Sequence, residues 1–292
     1  MPQFSILEAP SILGLSPTGV ESLPEALLAA GLRTGLQAES SGRIVPRAYS
    51  SQRDERTLLL NGEGIKEFSF RLADQVSEVL RRDRFPVVLG GDCSILIGNL
   101  LALRRTARYG LFHIDGHADF YQPEAEPKGE VASMDLSIVT GRGPQVLADI
   151  EGRKPLVRDE DVVQFGQRDA EEALQYGSQD IRATNIRVFD LSLIRRLGMA
   201  RAAAQAIEIL HRPVLAGFWL HLDVDVLDDA IMPAVDYRMP DGFSFVELRT
   251  LLRLALVSGR IAGMDVTIFN PSLDADGSID RKLVTTLVEE LM

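Results

Sequence analysis

Along the chain, short apolar runs rich in valine, isoleucine and phenylalanine alternate with longer segments whose apolar residues recur every three to four positions. The runs "FSILEA" (4–9), "FPVVLGG" (85–91), "YGLFHID" (109–115), "DVVQFG" (161–166), "IRVFD" (186–190), "FWLHLDVD" (218–225) and "IAGMDVTIF" (261–269) are predicted strands. Segments such as "IKEFSFRLADQVSEVLRRDR" (65–84) and "LGMARAAAQAIEILHR" (197–212) are predicted amphipathic helices. Such alternation is the pattern of βα units, so the predicted fold class is α/β with a central, mostly parallel sheet covered by helices. No low-complexity linker and no fixed repeat interrupts it, and residues 1–292 are expected to form a single domain. The polar stretch "QPEAEPKGE" (122–130) follows a strand end directly and reads as a functional loop. In folds of this kind ligands gather at the carboxyl ends of the strands, where loops converge.

Composition narrows the class of function. A chain of 292 residues, 46% hydrophobic and 25% charged, is a soluble globular composition able to bury one large core. Its formal net charge of −11 argues against a nucleic-acid or membrane partner and leaves a small-molecule substrate as the expectation. The lone Cys93 has no partner for an internal disulfide, and the opening "MPQFSILEAPSILGL" lacks the basic-then-apolar order of a signal peptide. A cytoplasmic location is expected. No apolar stretch reaches the length of a membrane span.

Three predicted strand ends carry chemistry. In "VVLGGDCS" (87–94) a Gly-Gly pair lets the backbone turn tightly before Asp92, Cys93 and Ser94; alone this is a turn with a helix cap and a small buried thiol. In "LFHIDGHADF" (111–120), Asp115, His117 and Asp119 stand two residues apart, so an extended backbone would aim all three at one point. Singly each reads as a cap or a surface polar group; together, after an apolar strand, they favour a metal. In "FWLHLDVDVLDD" (218–229) the apolar run continues through Asp223 and Asp225, and two like charges buried on one strand face need a compensating cation. Four carboxylates and one imidazole suit two divalent ions with a hydroxide between them. Oxygen-dominated ligation points to Mn²⁺ first, with other divalent cations able to serve.

"GGDCS", "DGHAD" and "LDVDVLD", in that order on successive strand ends, resemble the three metal motifs of the ureohydrolases, the superfamily of arginase, agmatinase and formiminoglutamase. "GVESLPEALLAAGL" (19–32), "FGQRD" (165–169) and "GMDVTIFNP" (263–271) extend the resemblance over most of the chain. It implies a three-layer αβα sandwich, a dimanganese centre, and hydrolysis of a non-peptide C–N bond in a guanidino-, hydroxyguanidino-, amidine- or amide-type small molecule through a metal-bridging hydroxide. It further implies Asp115, His117, Asp119, Asp223 and Asp225 as ligands, Cys93 as the candidate sixth, and assembly as a trimer or hexamer.

The sequence also departs from that pattern. Cys93 replaces the histidine of "GGDHS", a feature shared, with "DGH" and with "DYRMPDG" (236–242), by a branch acting on N-hydroxyarginine. Ile268 stands where arginase-like members have the glutamate that holds the guanidinium. Ala132, within "GEVASMD" (129–135), replaces the histidine of the proton shuttle. The acids left to handle protons are Asp119, Glu130 and Asp135, with His113 and His221 read as strand histidines paired to neighbours. Three readings follow, in order: a metallohydrolase with a changed substrate, a catalytically impaired member with a binding or regulatory role, and a phosphoesterase. The last requires basic residues at the site, for which the motif loops offer only Arg168 and Arg238.

Overall fold

The structure is a computed structural model and describes residues 2–292. Eight strands are seen among them: β1 (Phe4–Glu8), β2 (Glu39–Arg43), β3 (Phe85–Leu89), β4 (Gly110–Ile114), β5 (Val162–Phe165), β6 (Arg187–Phe189), β7 (Phe218–Asp223) and β8 (Ile261–Thr267). They form one sheet in the order β2-β1-β3-β8-β7-β4-β5-β6, and every pairing is parallel. All residues of β3, β4, β5 and β7 are buried, as continuous apolar strands covered on both faces must be.

Parallel neighbours need crossovers, and the crossovers place helices on both faces. Gly62–Arg81 and Leu96–Arg104 pack with Val88, Leu111, Val162 and Trp219 on one face. Met199–Leu210, Phe245–Val257 and Ser278–Leu291 pack with Val87, Phe112, Val163 and Leu220 on the other. The result is the expected three-layer αβα arrangement. No helix among the described residues is long and apolar enough to cross a membrane.

The seven predicted strands are all present, with earlier ends at the site. The eighth, β2, is the sequence "ESSGR": exposed at the sheet edge and polar, it carries no apolar alternation to betray it. The carboxyl ends of β3, β8, β7 and β4 lie side by side in the middle of the sheet, so the loops that follow them meet at one point.

Candidate metal centre

The acidic residues do not converge by extending their strands. β4 stops at Ile114 and β7 at Asp223, and the chain turns sharply after each. Asp115 Oδ1 accepts the amide of His117 at 2.6 Å, and Asp223 Oδ1 accepts that of Asp225 at 2.7 Å. Each aspartate thus folds the backbone over its own side chain. The two turns are joined where Gly116 N donates to Asp225 Oδ1 (3.2 Å) and His117 Nδ1 lies 2.9 Å from Asp225 Oδ2. Asp119 is reached through a left-handed residue, its own φ being 45°, rather than through strand geometry.

The loop after β3 supplies Cys93. Here the Gly-Gly pair serves close approach: Gly91 has no left-handed φ, but a Cβ on it would collide with the carbonyl oxygen of Ser11. Asp92 points away from the centre and is fully used by Ser11 Oγ (2.9 Å), Gly14 N (3.1 Å) and Ser94 N (2.8 Å). Cys93 Sγ lies 3.0 Å from Asp223 Oδ2 and 3.3 Å from Thr267 Oγ1.

Potential ligand atoms fall into overlapping sets, within each of which all atoms lie within 4.8 Å of one another. An outer set comprises Asp115, His117 and Asp225; inner sets comprise Cys93, Asp115, His221 and Asp223, and Cys93, Asp119 and Asp135. Asp115 belongs to both sides, and its Oδ2 is buried with no hydrogen-bond partner. All six sequence-predicted ligands are therefore brought together.

The electrostatics fit a cation. Burial, then the neighbouring carboxylates, push Asp119 and Asp223 well above the usual carboxylate range. Burial and then Asp223 raise the Cys93 thiol well above its ordinary value. Burial opposes ionisation at Asp225 as well, but the His117 imidazolium outweighs it and holds that carboxyl low. An uncompensated, buried, oxygen-rich donor set with one imidazole suits hard divalent ions.

The centre floors a cavity of about 160 Å³. His117, Asp119, Asp223, Asp225 and Cys93 lie at its base, with Ile268 and Ala132 in its wall. The 122–130 segment does form part of that wall, through Glu126, Pro127, Lys128 and Glu130. Glu130 is 1% exposed; Ser16 Oγ (2.5 Å) and Tyr237 Oη (2.6 Å) both donate to it. Lys128 is the sole lysine or arginine among the lining residues. Arg168 spends its guanidinium on the carbonyls of Asp225, Val226, Leu227 and Met239, and Arg238 on Asp229, so the cations a phosphoesterase requires do not reach this cavity. Asp135 is absent from the wall and lies behind the centre.

A buried polar row crosses the sheet beneath this floor. Gln164, His113, His221 and Asp265 are neighbours in register on β5, β4, β7 and β8. The two imidazoles stack, with centroids 4.7 Å apart and planes at 23°. Asp265 accepts from Asn99 (2.9 Å) and Trp219 (2.5 Å), and lies 2.5 Å from His221 Nδ1. Burial lowers both histidines; His113, beside the His221 charge, is pushed down to about 3. Asp265 overcomes the burial of His221 and raises it to about 9. Asn99 and Asp265 escaped the sequence reading because each sits in an apolar run where register, not spacing, creates the contact.

Fold and buried acidic centre together define a metal-dependent hydrolase of the ureohydrolase type. The chain belongs to the arginase family, whose sequence profile matches residues 3–292. Arginases of Staphylococcus aureus (strain COL) and Bacillus subtilis (strain 168) are 32% and 30% identical to it, over 97% and 99% of this chain and 94% and 97% of theirs. The native structure of the Bacillus caldovelox arginase is similar over 100% of this chain and 98% of that one, with a TM-score of 0.90 at 28% identity. Proclavaminate amidino hydrolase from Streptomyces clavuligerus shares the fold, with a TM-score of 0.71 at 19% identity over 99% and 92% of the two chains.

Proposed function

We propose that the protein is a dimanganese hydrolase whose substrate is less basic than free arginine: a hydroxyguanidine, amidine or amide-type small molecule. The observation that carries this reading is the convergence of Asp115, His117, Asp119, Asp223 and Asp225 beneath a cavity whose wall holds Ile268 and Ala132. Asp115, His117 and Asp225 would hold an outer ion, and Asp119 and Asp223, with Asp115 shared, an inner one. Cys93 is the candidate sixth ligand. Bound divalent ions would supply Lewis acidity, offsetting the carboxylate charge and acidifying water near neutral pH.

The chain's own residues do the rest. Asp119 faces the cavity from its left-handed turn and is placed to hold a proton at its carboxylate. Glu130, clamped by Ser16 and Tyr237, is another acid in the cavity wall. Ile268 presents an apolar surface, which suits a neutral group and offers a guanidinium no counter-charge at that position. We further propose a single domain acting in the cytoplasm as a homo-oligomer, with no nucleic-acid or membrane partner.

The test is a screen of manganese-loaded protein against guanidino, hydroxyguanidino, formimino and amide compounds, read by product mass. Turnover of one of the less basic classes is expected. Ion binding without turnover of any compound would instead favour the impaired, ligand-binding member of the family.

A further inference from the structure

Asp135 opens the short helix Asp135–Val139 and is fully buried, yet neither carboxylate oxygen receives a hydrogen bond. Two other fully buried aspartates show what a structural role looks like in this chain. Asp92 takes three donors and Asp265 is contacted by Asn99, Trp219 and His221. Leaving a buried carboxylate without donors costs several kcal/mol unless something else satisfies it.

What surrounds Asp135 is a ligand set. Its oxygens lie 3.4 Å from His113 Nε2 and 4.0 Å from His221 Nε2, and neither nitrogen has a hydrogen-bond partner. On its other side one oxygen lies within 4.8 Å of both Cys93 Sγ and an oxygen of Asp119, both of which reach the cavity floor. Donors about 2.1 Å from one divalent ion stand roughly 3 to 4.2 Å apart, so a small side-chain rotation would bring this set onto one. Cys93 meanwhile engages Asp223 and Thr267. As sulfur it is a poor match for an oxygen-preferring ion. Because Asp135 does not border the cavity, it cannot hand a proton to a substrate there.

Resting on the reading that this centre holds divalent ions, we propose that Asp135 is a ligand of the inner ion. It joins Asp119 and supplies the hard oxygen donor that Cys93 does not. His113 and His221 stand behind it, 3.4 Å and 4.0 Å from its oxygens.

The experiment reads metal, not activity. Wild-type protein is expected to retain two Mn²⁺ per chain, and Asp135→Asn one, with the second ion bound at least about tenfold more weakly. Asp225→Asn is expected to lose the other ion, and Cys93→Ser to keep both. As a safeguard against misfolding of Asp135→Asn, a gain of signal provides the second arm: Asp135→Cys in a Cys93→Ser background, loaded with Co²⁺, is expected to acquire a thiolate-to-cobalt absorption band that Cys93→Ser alone lacks. Two ions retained with unchanged affinity in folded Asp135→Asn, or no such band in a cobalt-loaded Asp135→Cys variant, would overturn the assignment while leaving the metal centre intact. Failure of the wild-type chain to bind any ion would overturn the underlying reading instead.

Discussion

Ile268 donates its amide to the carbonyl oxygen of Gly91 at 2.9 Å while its own backbone stands at φ 70°. A β-branched residue in the left-handed region costs about 1–3 kcal/mol and persists only where its surroundings fix it. Here the hydrogen bond ties the loop after β8 to the loop after β3, and the side chain is held in the cavity wall. Glutamate is unbranched at Cβ and fits this backbone with less strain. Ile268→Glu is therefore expected to fold and to tighten binding of free L-arginine by at least about tenfold, because it sets a carboxylate in the wall where a guanidinium would lie. Calorimetric titration of the manganese-loaded variant against wild type checks this; equal affinities would show that the wall at 268 does not face the cationic group.

Removing metal should cost stability through charge. Asp115, Asp119, Asp135, Asp223 and Asp225 are at most 8% exposed and share one small region. Ions held at about a hundred times their dissociation constant add about 2.7 kcal/mol, which in a chain of this size is on the order of 5–10 °C in melting temperature. A chelator should remove that increment. Asp223→Asn should cut the response to manganese to that of the outer ion and, by relieving repulsion, melt above the chelated wild type. A melting temperature indifferent to both chelator and Mn²⁺ would contradict a shared ion site.

Cys93 invites a direct exchange. Its Sγ lies 3.0 Å from Asp223, inside the inner set, and histidine would place a neutral nitrogen donor there that needs no thiol deprotonation. Cys93→His is expected to slow manganese loss to a chelator several-fold. Unaltered retention and an unaltered pH dependence of binding would mean that the side chain only packs.

The buried row makes a stability prediction separate from the metal. Asp265 satisfies Asn99, Trp219 and His221 at once. Asp265→Leu leaves all three without their partner and is expected to destabilise by about 3–5 kcal/mol. Asp265→Asn keeps one acceptor oxygen and should cost less than half as much. Urea unfolding of the two variants distinguishes them, and equal losses would show that volume rather than polar pairing sets the effect.

Much of this site was legible because its chemistry is written locally. The two-residue spacing of Asp115, His117 and Asp119, and of Asp223 and Asp225, follows apolar runs and marks candidate ligands without any knowledge of tertiary contacts. The spacing singled out residues that the structure brings together, though sharp turns capped by Asp115 and Asp223, and not continued strands, aim them. The paired reading holds for His221, which lies 2.5 Å from Asp265, but not for His113, which stacks on His221 with neither ring nitrogen hydrogen-bonded. Asp265 and the orphaned oxygens of Asp135 could not be read, because burial and partner count arise only when distant segments pack. β2 was hidden for the opposite reason: an exposed edge needs no apolar pattern.

The choice between arginine and a less basic relative turns on Ile268, while Ala132 slows departure of the amine from either. Ile268 offers no charge to a guanidinium, and a desolvated cation without a partner costs several kcal/mol. Ala132 offers no positioned acid to the departing amine, a contribution of about 10²–10⁴ in rate. Glu130 borders the same cavity, but its oxygens are already engaged by Ser16 and Tyr237, so protonating a strongly basic leaving group would break those contacts. A hydroxyguanidine or amide is far less basic and needs no buried counter-charge, although a hydroxyguanidine that releases hydroxyurea expels the same amine as arginine. Manganese-loaded protein is therefore expected to release hydroxyurea from N-hydroxyarginine at least about a hundredfold faster, in kcat/KM, than urea from L-arginine. Efficient turnover of arginine would mean that Glu130 or Asp119 supplies the proton after all and that Ile268 does not set the substrate class. In that case Glu130→Gln and Asp119→Asn, assayed for kcat at constant metal content, would identify which acid acts.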